Sequence, residues 1–220
     1  LIEVLANAGI ERIYGITGDS LNSVNDSLRR NGKIAFEHVR HEETAAFAAG
    51  AEASLTHKLT VCAGSSGPGN LHLINGLFDC HRNRVPVLAI ASHIPQSEVG
   101  LNYFQETHPE NLFKECSCFC ELVSNPKQMP EILFRAMNAA VGNQDVAVIV
   151  LPGDVAVMEM EIDELPVWNP PRLPHIVPQR EDIEEMAAHL ETGKRITLFC
   201  GAGCEGAHDE VVELAKRLQA

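Results

Sequence analysis

The sequence predicts an α/β protein: a three-layer doubly wound domain with a six-stranded parallel sheet, followed by the first βα elements of a second α/β domain. Three observations lead to this prediction. Short apolar runs rich in β-branched residues alternate with amphipathic runs of helical period. A proline-rich stretch then interrupts the alternation, and a further helix–strand–helix pattern follows it. The composition, 45% apolar and 21% charged, is typical of globular domains.

Six apolar runs are predicted to form the sheet. In chain order they are Arg12–Ile16, Ile34–His38, Leu59–Ala63, Val85–Ala91, Phe119–Val123 and Val146–Leu151. Helices are predicted between them, near residues 20–31, 42–55, 69–81 and 127–141. The last helix has the clearest pattern, because its apolar residues recur every three or four positions from Met129 to Val141.

The composition changes after the sixth predicted strand. Five of the twelve prolines lie between residues 166 and 178, after an acidic run, which is typical of an interdomain linker. We therefore assign residues 1–157 to a first domain, 158–178 to a Pro-rich linker and 179–220 to the start of a second. The last part is predicted to contain a helix near 181–191, a strand Arg195–Cys200 and a helix from about 207. Because the sequence starts without Met and stops within a helical pattern, we expect a segment of a longer protein.

Charge and cysteine content disfavour several classes of function. The formal net charge is −13, from 17 basic and 30 acidic residues, and no basic stripe could neutralise nucleic-acid phosphates. No apolar run approaches the roughly 20 residues of a transmembrane helix. Seven cysteines, an odd number, favour a reducing cytoplasm. The one-residue spacing of Cys116, Cys118 and Cys120 differs from that of zinc sites, so no metal site is predicted.

Four segments could carry chemistry, since each follows a predicted strand at the edge where open α/β sheets bind ligands. They are residues 14–20 (YGITGDS), 40–44 (RHEET), 64–70 (GSSGPGN) and 201–206 (GAGCEG). The glycine-rich turns at 14–20 and 64–70 would let backbone approach a ligand, although a tight turn alone explains them equally well. Segment 64–70 lacks the Lys-Ser/Thr ending of a P-loop, which disfavours a kinase. Segment 201–206 matches the dinucleotide fingerprint, but its confirming acidic residue would lie beyond Ala220.

A carboxyl group opens the predicted helix at 42–55. Glu42 and Glu43 precede a run of small residues from Ala45 to Ala51. A carboxylate in a first turn often only complements the helix dipole. A helix of small residues also permits close packing, and a carboxyl group held there could share a proton with a ligand. The residues alone leave both interpretations open.

Taken in order and spacing, these segments resemble the thiamine-diphosphate-dependent enzyme superfamily, in its pyruvate oxidase and pyruvate dehydrogenase (quinone) branch. The matching stretches are Tyr14–Ser20, Arg40–Glu42, Ser66–Gly69, Asn75–Leu77, Pro86–Ile90 and Phe104–Glu106. Thr17 stands where the family often has Pro, and Asn70-Leu71 replaces smaller residues, but neither departure removes an acid or a base. The resemblance implies that residues 1–157 form the domain that binds the cofactor's pyrimidine ring. It also implies that residues 179–220 begin a central FAD-binding-type domain.

The resemblance implies roles for individual residues. Glu42 corresponds to the catalytic glutamate, which hydrogen-bonds N1′ of the pyrimidine and promotes loss of the thiazolium C2 proton. Further residues are expected to contact the cofactor or to face the substrate. Those on the cofactor side are Gly18, Gly67, Pro68, Gly69 and His72, and those on the substrate side are Phe104 and Gln105.

The implied activity is oxidative decarboxylation of pyruvate to acetate and carbon dioxide, with electrons passing through FAD to a quinone. The sites for Mg²⁺ and the diphosphate, and most of the FAD site, would lie outside this sequence. The resemblance further implies a homodimer or homotetramer in which another subunit completes the site. It implies a cytoplasmic protein that attaches peripherally to the inner membrane through a C-terminal region. We therefore expect the 220-residue chain alone to be inactive and to bind thiamine diphosphate weakly.

Three alternatives stay open at this point. An acetolactate synthase, a transferase that joins two pyruvate molecules, shares most of these motifs. The chain could also be a non-catalytic assembly module. A dinucleotide-binding dehydrogenase based on residues 201–206 is the weakest alternative, because it leaves the whole first domain unexplained.

Overall fold

The structure, a computed structural model, describes residues 1–160 and 164–220. They form two compact units, Leu1–Leu173 and Pro174–Ala220. Residues 161–163, part of the predicted linker, lie outside the described residues. Of the predicted linker, Leu165 and Trp168 pack against the core of the first unit, and Trp168 Nε1 donates a hydrogen bond to Asn138 Oδ1 at 2.9 Å.

The first unit contains a six-stranded sheet, and all its pairs of neighbouring strands are parallel. The strands are β1 (Arg12–Gly15), β2 (Ala35–His38), β3 (Thr60–Gly64), β4 (Val87–His93), β5 (Phe119–Leu122) and β6 (Val146–Pro152). Their order across the sheet is β2-β1-β3-β4-β6-β5. This confirms the predicted six-stranded parallel sheet. The central strands β3, β4 and β6 are buried along their whole length, as expected where helices cover both faces.

Helices form the two outer layers. Those of the first unit are α1 (Ile2–Asn7), α2 (Asn22–Asn31), α3 (Glu42–Thr56), α4 (Pro68–Asn83), α5 (Pro109–Leu112), α6 (Met129–Asn143) and α7 (Gly153–Ala156). Buried residues of α1, α2 and α6 pack in one hydrophobic cluster. Buried residues of α3 and α4 pack in a second one, together with Phe113, which follows α5. The two clusters correspond to the two faces of a doubly wound sheet, so the predicted three-layer architecture is confirmed.

Small residues bring α3 and α4 unusually close together. A Cβ atom added to Gly76 would lie 2.5 Å from Ala46 Cβ and 2.8 Å from the carbonyl oxygen of Glu43. One added to Gly50 would lie 2.6 Å from Cys80 Sγ. The two helices therefore pack almost backbone to backbone, and this contact determines which side chains meet at their first turns.

The second unit contains α8 (Arg180–Thr192) and α9 (His208–Leu218), close to the predicted bounds of both helices. The strand predicted at Arg195–Cys200 is wrong, since no strand forms there. A strand needs a neighbouring strand to bond its backbone N–H and C=O groups, and no described residue of this unit supplies one. Phe199 is accordingly fully exposed.

The order of the strands creates a crevice at one edge of the sheet. The chain leaves β1 to form β2 on one side and returns to form β3 on the other side of β1. Such a reversal opens a crevice between the carboxyl ends of the two strands, where doubly wound proteins bind ligands. Two of the four candidate segments, the turns after β1 and β3, lie at this crevice. In the described parts of the chain, no helix is long and apolar enough to cross a membrane.

Candidate functional site

Glu42 is the first residue of α3 and is only 7% exposed. The helix begins there because His41 is extended and its Nδ1 accepts a hydrogen bond from the backbone N–H of Glu43 at 3.3 Å. A hydrogen bond of 3.0 Å joins Glu42 Oε2 to His72 Nδ1. The other oxygen, Oε1, has no hydrogen-bond partner among the described residues. It lies 3.2 Å from the position that a Cβ atom on Gly69 would occupy. One oxygen of a nearly buried carboxyl group is thus available to a ligand.

His72 lies in the second turn of α4, where the close packing of α3 and α4 brings it to Glu42. Its ring stacks on the ring of His41, with 4.3 Å between centroids and 25° between planes. The imidazole is therefore held on one side by a carboxylate and on one face by a second imidazole. This arrangement fixes Glu42 Oε2 and leaves Oε1 as the oxygen that can change partners.

Gly18 and Gly69 enclose Ser65 at the crevice. A Cβ atom on Gly18 would lie 2.7 Å from Ser65 Cβ, and one on Gly69 would lie 2.6 Å from Ser65 Oγ. Glycine at position 18 lets the turn after β1 approach the turn after β3, whereas glycine at position 69 makes room for Ser65 within that second turn. Gly18 is therefore explained by contact between two turns and Gly69 by close packing inside one turn, beside Glu42 Oε1.

Four polar residues connect the ends of three strands; three of them belong to the candidate segments 14–20 and 64–70, and the fourth, Ser92, was not singled out from the sequence. Ser66 N donates a hydrogen bond to Ser20 Oγ at 2.9 Å, and Ser92 Oγ donates to the carbonyl oxygen of Ser20 at 2.6 Å. Asn70 Nδ2 donates to the carbonyl oxygen of Ser92 at 2.7 Å. Ser92, which directly follows the apolar run Val87–Ala91 in β4, was the available signal. The network joins the turns after β1 and β3 to the end of β4.

Gln105 is in contact with this network, whereas Phe104 is not. Gln105 Oε1 accepts a hydrogen bond from Ser66 Oγ at 3.2 Å. A Cβ atom on Gly67 would lie 3.0 Å from the carbonyl oxygen of Gln105. Pro68 occupies the first turn of α4, where its missing N–H costs nothing. Phe104 is 83% exposed, and its described ring contact is with Tyr103.

His93 is a further residue at this edge that the sequence analysis missed. It ends β4 and is buried, and burial lowers the pKa of its imidazole, so the ring is neutral at pH 7. In the described residues no group of three or more His, Cys, Asp or Glu side chains could hold a metal ion.

Comparison with known sequences identifies the family. The family model described as "Thiamine pyrophosphate enzyme, N-terminal TPP binding domain" matches residues 1–112, just over half of the chain. The chain belongs to the thiamine pyrophosphate enzyme family. The matched residues include Glu42, His72, the glycines of both turns and Gln105.

Several curated proteins align with the whole chain or nearly all of it. An uncharacterized 42.6 kDa protein in the isoamylase 3′ region of Pseudomonas amyloderamosa is 59% identical over 99% of this chain and 55% of its own length. A pyruvate oxidase of Lactiplantibacillus plantarum is 32% identical over 100% of this chain and 37% of its own. An acetolactate synthase of Arthrospira platensis is also 32% identical, over 100% of this chain and 39% of its own length. The chain thus spans between about a third and just over half of the length of these relatives.

The crevice fits the pyrimidine end of thiamine diphosphate. A ring nitrogen that hydrogen-bonds a carboxyl group needs a carboxylate oxygen without a competing partner, and Glu42 Oε1 meets that requirement. The absence of a side chain on Gly69 leaves that oxygen open on one side. The fit concerns the pyrimidine alone, since the described residues offer no metal-binding group for the diphosphate.

Proposed function

We propose that this chain is the N-terminal part of a thiamine-diphosphate-dependent flavoprotein that oxidatively decarboxylates pyruvate. In the proposed reaction, pyruvate, water and a quinone give acetate, carbon dioxide and the quinol, with FAD carrying the two electrons. The observation that carries the proposal is the nearly buried Glu42, which presents an unpartnered oxygen at the switch point of a sheet of this family. The resemblance of the motifs at 14–20, 40–42 and 104–106 to the pyruvate oxidase branch supports the choice of substrate.

Glu42 is the catalytic residue in this proposal. When bound, thiamine diphosphate would supply a carbon nucleophile for the ketone of pyruvate and an electron sink for decarboxylation. Glu42 Oε1 exchanges a proton with N1′ of the pyrimidine, while the hydrogen bond from His72 keeps Oε2 in place. Gly18, Gly67 and Gly69 keep side chains away from the ring.

A second subunit is proposed to cover the surface next to Glu42. Helix α3 is apolar on nearly every side, and such helices are normally buried all round. Phe47 and Leu55 on this helix and Leu71 on α4 are nevertheless exposed. Covering them with another copy of the protein would also exclude water from the pyrimidine. This supports a homodimer or homotetramer in which another subunit completes the site.

The Mg²⁺ and diphosphate sites, and most of the FAD site, are proposed to lie outside this 220-residue sequence. Mg²⁺ and the diphosphate need oxygen ligands that the described residues do not group together. The net charge of −13 also favours anchoring of an anionic cofactor by a metal ion elsewhere. Residues 179–220 are proposed as the start of the FAD-binding-type domain. The seven free cysteines are compatible with the cytoplasm, with membrane contact through a region beyond this sequence.

A specific observation favours a second candidate, an acetolactate synthase-like transferase. The acetolactate synthase of Arthrospira platensis is as similar to this chain as the pyruvate oxidase, at 32% identity for each. The two candidates share the same use of Glu42 and differ in what happens after decarboxylation. The transferase would join the two-carbon unit to a second pyruvate, and no FAD reduction would accompany turnover.

Product analysis tests the proposal. The full-length protein is incubated with pyruvate, thiamine diphosphate, Mg²⁺, FAD and a soluble ubiquinone analogue, and a parallel reaction omits the quinone. We expect acetate, with one quinone reduced for each molecule of carbon dioxide released, and little acetate in the parallel reaction. Acetolactate formed equally well in both reactions would contradict the oxidase and support the transferase. If the folded protein with bound cofactor released no carbon dioxide from pyruvate, both the oxidase and the transferase proposals would be wrong.

A further inference from the structure

The loop from Val99 to Glu106 has a defined shape despite its exposure. It contains no strand or helix, and most of its large apolar side chains are exposed. Two residues in it have left-handed backbone, Gly100 at φ 84° and Asn102 at φ 59°. Asn is among the non-glycine residues that adopt this conformation most readily, and an interaction with the neighbouring N–H groups favours it at Asn102.

The carboxylate of Glu106 provides that interaction. Its Oε1 accepts a hydrogen bond from the backbone N–H of Gly100 at 2.5 Å, and its Oε2 accepts one from the N–H of Tyr103 at 3.2 Å. The backbone N–H of Glu106 donates to the carbonyl oxygen of Tyr103 at 2.8 Å. The loop thus folds around a single carboxylate, and hydrogen bonds to a charged acceptor are among the stronger ones in proteins.

The charge of Glu106 is favoured by the same contacts. The N–H of Gly100 contributes most to a lowered pKa of the Glu106 carboxyl group, and the N–H groups of Tyr103 and Asn102 and the nearby His108 add to it. Burial of the carboxyl acts in the opposite direction and is outweighed. The group is therefore ionised at neutral pH, in the state that binds the loop most strongly.

The loop is connected to the candidate site through the residue before Glu106. Gln105 packs on Gly67, whose added Cβ atom would lie 3.0 Å from the Gln105 carbonyl oxygen and 3.2 Å from its Cα. The side chain of Gln105 also accepts a hydrogen bond from Ser66 at 3.2 Å. Gln105 is thus fixed to the turn between β3 and α4, and Phe104 lies between it and Tyr103.

We propose that Glu106 is a positioning residue whose carboxylate holds the loop in the shape that docks Gln105 on Gly67 and presents Phe104. The stabilisation of the loop by Glu106 follows from its hydrogen bonds to the N–H groups of Gly100 and Tyr103. Its effect on turnover rests on the proposed function, because Phe104 and Gln105 matter to turnover only if the substrate binds beside them.

Amide hydrogen exchange of the full-length protein tests the effect on the loop. Three variants are compared with the wild type: Glu106→Ala, Glu106→Gln and the control Glu98→Gln. Glu98 lies just before the loop, and its carboxylate has no hydrogen bond among the described residues. We expect exchange at Gly100 and Tyr103 to accelerate at least about tenfold in Glu106→Ala, the scale of losing a hydrogen bond to a charged group. Glu106→Gln keeps one acceptor oxygen and should show a smaller change, and Glu98→Gln should show none.

Unchanged amide exchange in a folded Glu106→Ala variant would overturn the proposal.

Steady-state kinetics of the same variants test the effect on turnover. We expect kcat/KM for pyruvate to fall at least about tenfold in Glu106→Ala and to recover partly in Glu106→Gln, while cofactor C2 proton exchange stays at the wild-type rate. A loosened loop with unchanged kcat/KM would contradict the role in turnover. If the wild type does not turn over pyruvate, the proposed function fails, and the exchange data alone decide the role of Glu106 in the loop.

Discussion

The chain contains two turns with three glycines each in very different surroundings. In the turn at 64–70, a Cβ atom on Gly64, Gly67 or Gly69 would lie 3.0 Å or less from a neighbouring heavy atom. In the turn at 201–206, no described heavy atom lies within 4 Å of the corresponding positions on Gly201, Gly203 and Gly206. The first turn follows a paired strand of a sheet, and the second follows a segment that forms no strand. A glycine pattern therefore marks a packed site only where a sheet supplies the neighbours.

This difference bears on the dinucleotide alternative. The Gly-x-Gly-x-x-Gly fingerprint has a physical meaning only between a strand and a helix, where the helix N-terminus faces a pyrophosphate. Helix α9 follows the turn at 201–206, but the segment that leads into this turn, residues 193–200, forms no strand. The described residues therefore give this alternative no structural support.

Within these two turns, we expect the largest effect of a glycine substitution at Gly67, the one glycine of the turn at 64–70 with left-handed backbone. Alanine there would have to adopt φ 67° and ψ −114° and would press on the backbone of Gln105. Strained backbone and overpacking together should lower the free energy of unfolding of the 220-residue chain by about 2–3 kcal/mol. Urea denaturation followed by circular dichroism measures this change.

Gly142→Ala is the matched control for that substitution. Gly142 lies inside α6, and an added Cβ atom would find its nearest neighbour, Pro171 Cγ, at 4.0 Å. Alanine in a helix should raise the free energy of unfolding by up to about 1 kcal/mol. If the free energy of unfolding of Gly67→Ala equalled that of Gly142→Ala, the conclusion that Gly67 is in close contact with Gln105 would be wrong.

The smallest expected effect is at Gly203. Its surroundings are open and its backbone is not left-handed, so Gly203→Ala should change the free energy of unfolding by less than about 0.5 kcal/mol. The same denaturation experiment applies. A loss comparable with that of Gly67→Ala would show that the second turn is as tightly packed as the first, which would remove the contrast between them.

The sheet could be predicted from the sequence because its central strands are covered on both faces and appear as continuous apolar runs, as in Val146–Pro152. The same reasoning failed at Arg195–Cys200, because an apolar run does not reveal whether a partner strand is present. Glu42 and His72 are 30 positions apart, and their contact depends on the close packing of α3 and α4 through Gly76. Only the resemblance to a family predicted that Glu42 and His72 belong to the same site.

Glu106 shows a second limit of sequence reasoning. Its partners are backbone N–H groups, and every non-proline residue has one, so no residue pattern announces the contact. The hydrogen bonds among serine and asparagine residues at the ends of β1, β3 and β4 were not predicted, for a related reason. Its hydrogen bonds join segments that are adjacent only after the sheet has formed.

The central claim is that Glu42 shares a proton with the pyrimidine of thiamine diphosphate. Hydrogen–deuterium exchange at C2 of the bound cofactor, measured in the full-length protein, tests it most directly, because it is independent of pyruvate and of the electron acceptor. Glu43→Gln is the matched control, since Glu43 is the next residue of the same helix turn and bonds Asn75 through an oxygen that glutamine retains. We predict that Glu42→Gln slows the exchange by about 10² to 10⁴-fold, with Glu43→Gln close to the wild type. Wild-type exchange in a Glu42→Gln protein that still binds the cofactor would contradict the claim.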